Sequence, residues 1–301
     1  MKIVVVGLGD VAKKAYLPVY ASLEGVDVYL VSRDEAKAGL LVDKYRFSGH
    51  YRSLQDVAFE EVDGVLIHSA TAAHAEQVAY VLAQGVPVFI DKPVTFTLED
   101  TERLVRLAAD KGVELITGFN RRFATATVAL KEVVNPNLVL IQKNRTYQPA
   151  TLREFIIEDF VHVVDTLRYL TGLAPVEDLA VRTRYEAGIL KQLQIQFKAG
   201  GIEAVGIMNR DNGCTEEVME VMSPHLKRVS RDVERVYDFT RDGMLERALS
   251  PWESNLTRRG FTTMLDEFMK LLAGEPNDSV RAQDSLTTHA LCERILDEAS
   301  R

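Results

Sequence analysis

Between its first residue and residue 117 the chain carries five short runs of Val, Ile and Leu, at 2–6, 26–31, 62–67, 86–90 and 113–117, separated by helix-length segments. Runs that are apolar on both faces, rather than at alternate positions only, belong to buried strands, and a parallel sheet covered by helices is the arrangement that buries them. The intervening segments are long enough for the crossovers that parallel neighbours require. A weaker strand candidate lies at 48–51. Helix starts are signalled by Ser53 ahead of LQDVAFEEV and by a capping box over Thr97, Leu98, Glu99 and Asp100 ahead of TERLVRLAADKG, and Gly85 and Gly112 fall where helices should stop.

After about Phe119 the texture changes. In the run 190–197, Leu193, Ile195 and Phe197 alternate with glutamines, the pattern of an antiparallel sheet with one apolar and one polar face. The polar face is either wet or a subunit interface. Helices are expected at 262–273 and 282–299, joined by GEPNDSV. The reading is α/β: a doubly wound parallel sheet over residues 1–119, followed over 120–301 by an α+β domain with a mostly antiparallel open sheet.

The 301 residues, 47% of them hydrophobic, can fill two cores, and a formal charge of −8 without any basic block argues against nucleic acid as a partner. No apolar run approaches the length a bilayer needs, so no membrane association is expected, and MKIVVVGLGD goes straight into a strand; the cytoplasm is the expected location. Cys214 and Cys292 stand apart with no metal-ligand spacing, so neither a disulfide framework nor a metal site is indicated.

Between the first strand and the first helix lies Gly7-Leu8-Gly9-Asp10-Val11-Ala12, a GxGxxA loop in the setting that gives the motif meaning. Gly7 permits the tight turn, Gly9 admits a pyrophosphate close to the backbone, Ala12 lets helix and strand pack, and the backbone of Asp10 and Val11 opens a helix whose free N–H groups face the phosphates. This is the loop of a Rossmann domain. The second run ends in Ser32-Arg33, where an acid would hold the ribose hydroxyl of NAD; a hydroxyl and a guanidinium suit a 2′-phosphate, so NADP is the expected cofactor and NAD the second choice. Ser32 is equally the candidate N-cap of the next helix, with Glu35 closing its capping box, and Asp34 could still turn toward a ribose.

Ligands of an open parallel sheet bind outside the carboxyl ends of its strands. Those ends carry His68-Ser69-Ala70-Thr71, Asp91-Lys92-Pro93 and, from Gly118, GFNRRF with Asn120; Ser69, Thr71, His74, Asp91, Lys92 and Asn120 are therefore candidate cofactor contacts. Farther along, EDFVHVVD puts Glu158, His162, Asp165 and Tyr169 on one stripe of a helix, opposite Phe160, Val163, Val164, Leu167 and Leu170. Periodicity alone allows that stripe to be either a solvated face or the wall of a cleft.

These segments together resemble the Gfo/Idh/MocA oxidoreductases, over nearly the whole chain: VVVGLGDVAKKAYLPVY, TAAHAEQVAYVLAQGVPVFIDKP with Asp91 where the family carries Glu, GFNRRF and HVVDTLRYLTG, with FIDKP, GFNRRF and EDFVHVVD closest to an MviM-like branch. The resemblance implies reversible hydride transfer between nicotinamide and a sugar-like or cyclitol carbinol, with no metal required. Lys92 matches the family's catalytic lysine, His162 and Asp165 match two residues of its Asp-x-x-x-His-x-x-Asp helix, and Glu158 stands for the first Asp. In this scheme His162 moves the alcohol proton, an adjacent carboxylate holds its tautomer, and Lys92 stabilises the charge developing on the same oxygen. Phe160 replaces a small residue and should narrow the pocket. A small polyol or sugar-like substrate and a homodimer or homotetramer through the C-terminal sheet follow from the same likeness. The alternative is a nucleotide-binding sensor that keeps the fold without turnover.

Overall fold

A computed structural model describes residues 1–300, which divide into two units: Met1–Phe119 with Phe261–Thr287, and Asn120–Gly260 with the residues from Thr288 onward. Among the described residues, the first unit holds a six-stranded parallel sheet made of β1 (Lys2–Val6), β2 (Asp27–Val31), β3 (Gly49–Tyr51), β4 (Gly64–Ile67), β5 (Val88–Asp91) and β6 (Leu115–Gly118). Their spatial order is β3-β2-β1-β4-β5-β6, so the chain reverses direction across the sheet between β1 and β4 and opens a crevice at their carboxyl ends. Val4, Val65, Leu66, Ile67, Val88, Phe89 and Ile90 have no solvent contact. Each such side chain contributes about 1.5–3 kcal/mol when fully buried. Helices Glu35–Tyr45, His74–Ala83 and Leu98–Lys111 cover the sheet; Thr97 Oγ1 caps the last by accepting the Asp100 N–H at 3.2 Å, and Gly112 ends it at φ +64°.

Two expectations about this unit change. LQDVAFEEV is not a helix: it forms two 3₁₀ turns, Leu54–Asp56 and Phe59–Glu61, the first inside a Ser53/Asp56 capping box, with extended backbone at Val57 and Ala58 between them. The first unit also does not end at Phe119, and residues 120–301 are not one domain. Phe261–Thr287 completes the first unit: the helix Phe261–Leu272 lays Phe268 against Phe89 (ring centroids 5.5 Å apart), and the Thr117 N–H donates to the Val280 carbonyl at 2.9 Å. The Cβ of any residue replacing Gly64 would lie 2.8 Å from Leu272, so this glycine lets the returning helix close on the sheet.

The second unit is built on an eight-stranded sheet of β7 (Leu138–Asn144), β8 (Val176–Glu186), β9 (Ile189–Ala199), β10 (Ile202–Asn209), β11 (Glu216–Met222), β12 (Lys227–Arg231), β13 (Arg235–Thr240) and β14 (Gly243–Arg247). Its order is β14-β13-β12-β11-β7-β10-β9-β8; β7 and β10 run parallel and every other pair antiparallel. Leu193, Ile195 and Phe197 are wholly buried as their alternation requires, beside Val139, Ala204, Met208 and Met219. A helical run over residues 152–170 packs on that apolar face. At Gly206 an added Cβ would lie 2.9 Å from Val163 and 3.0 Å from Leu167, so the missing side chain sets how closely the helix can approach. Among the described residues no helix is long and apolar enough to cross a membrane.

Candidate active site

The glycine loop leaves β1 at the point where the strand order reverses. Gly7 adopts φ +91°, and a Cβ there would lie 2.4 Å from the Ser69 backbone nitrogen, so both its conformation and its close approach to the end of β4 demand glycine. Gly9 is different. It is exposed, and nothing in the protein lies within 4 Å of the place its Cβ would take, so no internal packing requires it. The space it leaves open fits a phosphate drawn against the backbone. Asp10 turns away from that space to its own helix, 2.8 Å from Lys14 and 3.6 Å from Lys13; Val11 is 53% exposed at the lip, and Ala12 is buried under the helix.

A cleft of about 400 Å³ runs beside the loop, lined among others by Gly7, Ser32, Arg33, Arg52, Ser69 and Gln77. The N-cap of the helix after β2 is Asp34, not Ser32 as expected: Asp34 Oδ1 accepts the Lys37 N–H at 3.0 Å, and Ser32 Oγ accepts the Asp34 N–H at 3.2 Å. Asp34 is thereby committed to the helix, and Arg33 is exposed at the cleft wall. Arg52 was not among the expected contacts. It follows β3, a short strand with a weak signal, and only the pairing of β3 with β2 brings it beside Arg33.

The other carboxyl-edge residues separate into ties and open groups. His74 is buried, with one ring nitrogen 2.9 Å from the Pro93 carbonyl and the other 3.0 Å from the Ser69 carbonyl, so it fastens the β4 and β5 loops together and does not face the cleft as expected. Asn120, 3% exposed, donates from Nδ2 to the Arg259 carbonyl at 2.8 Å and is likewise an anchor. Thr71 opens a 3₁₀ turn and is half-buried, and Ser69 donates from Oγ to Gln77 at 2.5 Å on the cleft wall. His68 stacks on Tyr16 at 3.8 Å and lies 2.7 Å from the Tyr20 hydroxyl; burial, reinforced by His74, pushes its imidazole down to about 3 and keeps it neutral. Asp91 accepts the Lys92 N–H at 2.8 Å and the Tyr16 hydroxyl at 3.1 Å, and withdrawal from water raises its carboxyl against the pull of Lys92. Lys92 itself is half-buried, held at the sheet edge by that backbone bond.

In the second unit EDFVHVVD belongs to a helical run with an irregularity sequence periodicity does not register: Phe155–Phe160 is wound as a π-helix, between α-helical Leu152–Glu154 and Val161–Leu170. The wider turn rotates Glu158 relative to a straight helix, and such turns recur at functional sites. Of the expected stripe, Glu158, His162 and Tyr169 are half-buried. Asp165 is not part of any open face. It is 1% exposed, takes both arms of the buried Arg122 guanidinium at 2.6 and 2.9 Å, and accepts from Thr288 at 3.0 Å, so it cannot meet a substrate directly. Phe160 is wholly buried on the apolar face with Val163, Val164 and Leu167, so it does not narrow a pocket as expected.

A feature absent from the sequence reading surrounds Asp159. Lys143 lies 2.7 Å from its carboxylate, Arg145 binds it with two N–H groups at 3.0 and 3.1 Å, and Arg210 adds a third cation at 3.0 Å. Burial alone would raise this carboxyl, but Lys143 and then Arg145 hold it well below the usual range, while burial brings the Lys143 ammonium down to about 8 despite Asp159.

A doubly wound sheet with a glycine loop at its reversal point defines a dinucleotide-binding α/β protein. Residues 1–119 match the family described as an oxidoreductase family with an NAD-binding Rossmann fold, and residues 127–236 match a YceM-like C-terminal domain. The Salmonella typhimurium protein YceM is 30% identical over 99% of this chain and 98% of its own length. Inositol 2-dehydrogenase of the same organism is 26% identical over 56% of this chain and 54% of its own. The crystal structure of a Gfo/Idh/MocA family oxidoreductase from Vibrio cholerae superposes with a TM-score of 0.91 at 28% identity, covering 100% of both chains. The chain belongs to the Gfo/Idh/MocA family of oxidoreductases.

Proposed function

We propose that the protein is an NADP-preferring dehydrogenase or reductase acting on the CH–OH group of a sugar-like or cyclitol substrate. The observation that carries this reading is the cleft beside Gly9, open to a phosphate and walled by Ser32, Arg33 and Arg52, in a chain of an oxidoreductase family. Likeness to inositol 2-dehydrogenase supports the substrate class. The glycine loop and this cleft would hold the phosphates and ribose of a nicotinamide dinucleotide, which would supply or take up hydride. The protein's own residues would handle the proton and the charge: His162 would accept the hydroxyl proton on oxidation and return it on reduction, Lys92 would donate a hydrogen bond that stabilises charge on a substrate oxygen, and Glu158 would orient His162. Asp165 is a positioning residue that fixes the helix through Arg122.

The preference for NADP rests on two guanidiniums at the cleft wall and on Asp34 being spent as a helix cap. A fluorescence titration is expected to give tighter binding of NADPH than NADH. Arg33→Ala and Arg52→Ala should each weaken NADPH by about 1.5–3 kcal/mol and leave NADH nearly unchanged. Equal losses for both nucleotides would reduce the arginines to loop supports. Oxidation of NADPH by a panel of ketoses, inososes and related carbonyls tests the reaction itself; binding without any turnover would favour the sensor reading.

The face of the second unit's sheet turned away from the helix supports self-association. Leu140, Val205, Ile207 and Val218 are half-buried neighbours there, flanked by Gln194 and Gln196. A homodimer or homotetramer through this face is expected by light scattering, and Val205→Glu should shift the mass toward the monomer; an unchanged mass would move the interface elsewhere.

A further inference from the structure

We propose that the cations gathered around Asp159 bind an anionic substituent of the substrate, a carboxylate or a phosphate, so that the substrate is an acidic sugar or polyol rather than a neutral one. The substrate assignment rests on the dehydrogenase reading above; the anion site rests on the second unit alone.

The site follows from the alternation of three neighbouring strands. Along β7, Val139, Ile141 and Lys143 face the helix, and Arg145 continues that side just past the strand. Along β10, Ala204, Gly206 and Met208 do so, and Arg210 follows. Along β9, Phe197, Ile195 and Leu193 lead back to Lys191. The strands stay in step at this end, since the Arg145 N–H donates to the Asn209 carbonyl and the Arg210 N–H to the Lys191 carbonyl, each at 2.8 Å. An apolar floor thus ends in a row of four cations, Lys143, Arg145, Lys191 and Arg210, drawn from distant parts of the chain.

Within ion-pair distance their charge is not balanced: Lys143, Arg145 and Arg210 share the single carboxylate of Asp159. Arg121 and Glu217 alongside pair with one another at 2.8 Å, Lys191 lies 3.8 Å from Asp211 and over the Tyr147 ring at 4.6 Å, and Glu154, bonded to its own cap at Thr151, feels Arg210 without forming an ion pair with it. Leaving excess charge in a poorly hydrated setting is costly unless a counter-ion arrives. The donors for one are present: Arg210, 6% exposed and stacked on Phe155 at 4.7 Å, has no hydrogen-bond partner for its buried Nε, and Arg145 keeps its side chain 29% exposed with one guanidinium nitrogen outside its pair with Asp159. Asp159 stands three residues before His162 on the same helical run, a neighbouring position on its surface, so a bound anion lies about one turn from the acid/base group.

The test is calorimetric binding to the NADPH-loaded protein at fixed ionic strength, with D-gluconate and D-glucose 6-phosphate as acidic probes and D-glucose as the neutral one. At least one acid should bind more than about tenfold tighter than glucose, and the better of the two identifies carboxylate or phosphate as the preferred group. Arg145→Gln should cut that advantage by about ten- to a hundredfold, the weight of one charge-assisted contact, and leave glucose binding and Tm unchanged, because Lys143 and Arg210 still pair Asp159. Arg145→Lys should restore part of it. Should Arg145→Gln fold poorly, Lys191→Met tests the same row. Acids binding no better than glucose, no probe binding at all, or an advantage that survives both substitutions would overturn the site. Selective acid binding without NADPH oxidation would keep the anion site and reject the dehydrogenase; turnover of neutral carbonyls with no preference for acids would do the reverse.

Discussion

Lys92→Ala and His162→Ala are each expected to lower turnover by about 10²–10⁴-fold while leaving NADPH affinity nearly unchanged, the range that a lost acid/base or charge-stabilising group typically produces. Affinity should survive because the cleft that accepts the nucleotide is lined by other residues, Gly7, Ser32, Arg33 and Arg52 among them. Folding should survive because both side chains are half-buried rather than part of a core. Glu158→Gln adds a finer distinction: it removes charge with little change of shape, and it should slow the reaction only if the carboxylate orients or charges His162. The measurement is single-turnover oxidation of NADPH with the best carbonyl from the panel, followed by absorbance. Wild-type rates from all three variants would return Glu158 and His162 to the role of a partly wet helix face.

The second large effect concerns stability. Asp165→Ala strands the Arg122 guanidinium, 6% exposed, without its carboxylate, and breaking one side of a buried ion pair costs about 3–5 kcal/mol. Urea unfolding should show this as a lower midpoint. Replacing both partners by apolar residues, Asp165→Leu with Arg122→Met, should recover most of the loss, since the desolvation of two charges disappears with them. A catalytic Asp165 predicts the opposite pattern, with turnover falling while the unfolding midpoint holds. A single substitution therefore separates a residue that touches substrate from one that holds the helix in place.

The first unit was readable because most of its strands are apolar on both faces, and little besides a parallel sheet buries such runs. The glycine loop was readable because its residues are contiguous. What the sequence concealed depended on contacts between distant residues. Periodicity gave Asp165 the correct angle on its helix, but its partner Arg122 lies 43 residues earlier, and the pairing turned an expected open face into a buried one. Asp159 looked like an ordinary charge until Lys143, Arg145 and Arg210 closed around it from two strands. The π-turn at Phe155–Phe160 has no simple residue signature. Ser32 was the expected cap and Asp34 a possible ribose contact, and only the geometry showed that Asp34 is the cap.

The return of Phe261–Thr287 to the first unit also dictates an order of events during synthesis. When residue 119 leaves the ribosome, all six strands of the nucleotide-binding sheet have been made, yet the groove beside Gly64 and Phe89 still lacks Phe268 and Leu272. It stays uncovered while residues 120–260 are translated, so the nascent chain carries an open apolar seam for roughly 7–30 s at 5–20 residues per second. That interval is when a chaperone has something to hold, and a fragment ending at residue 119 would keep the seam permanently.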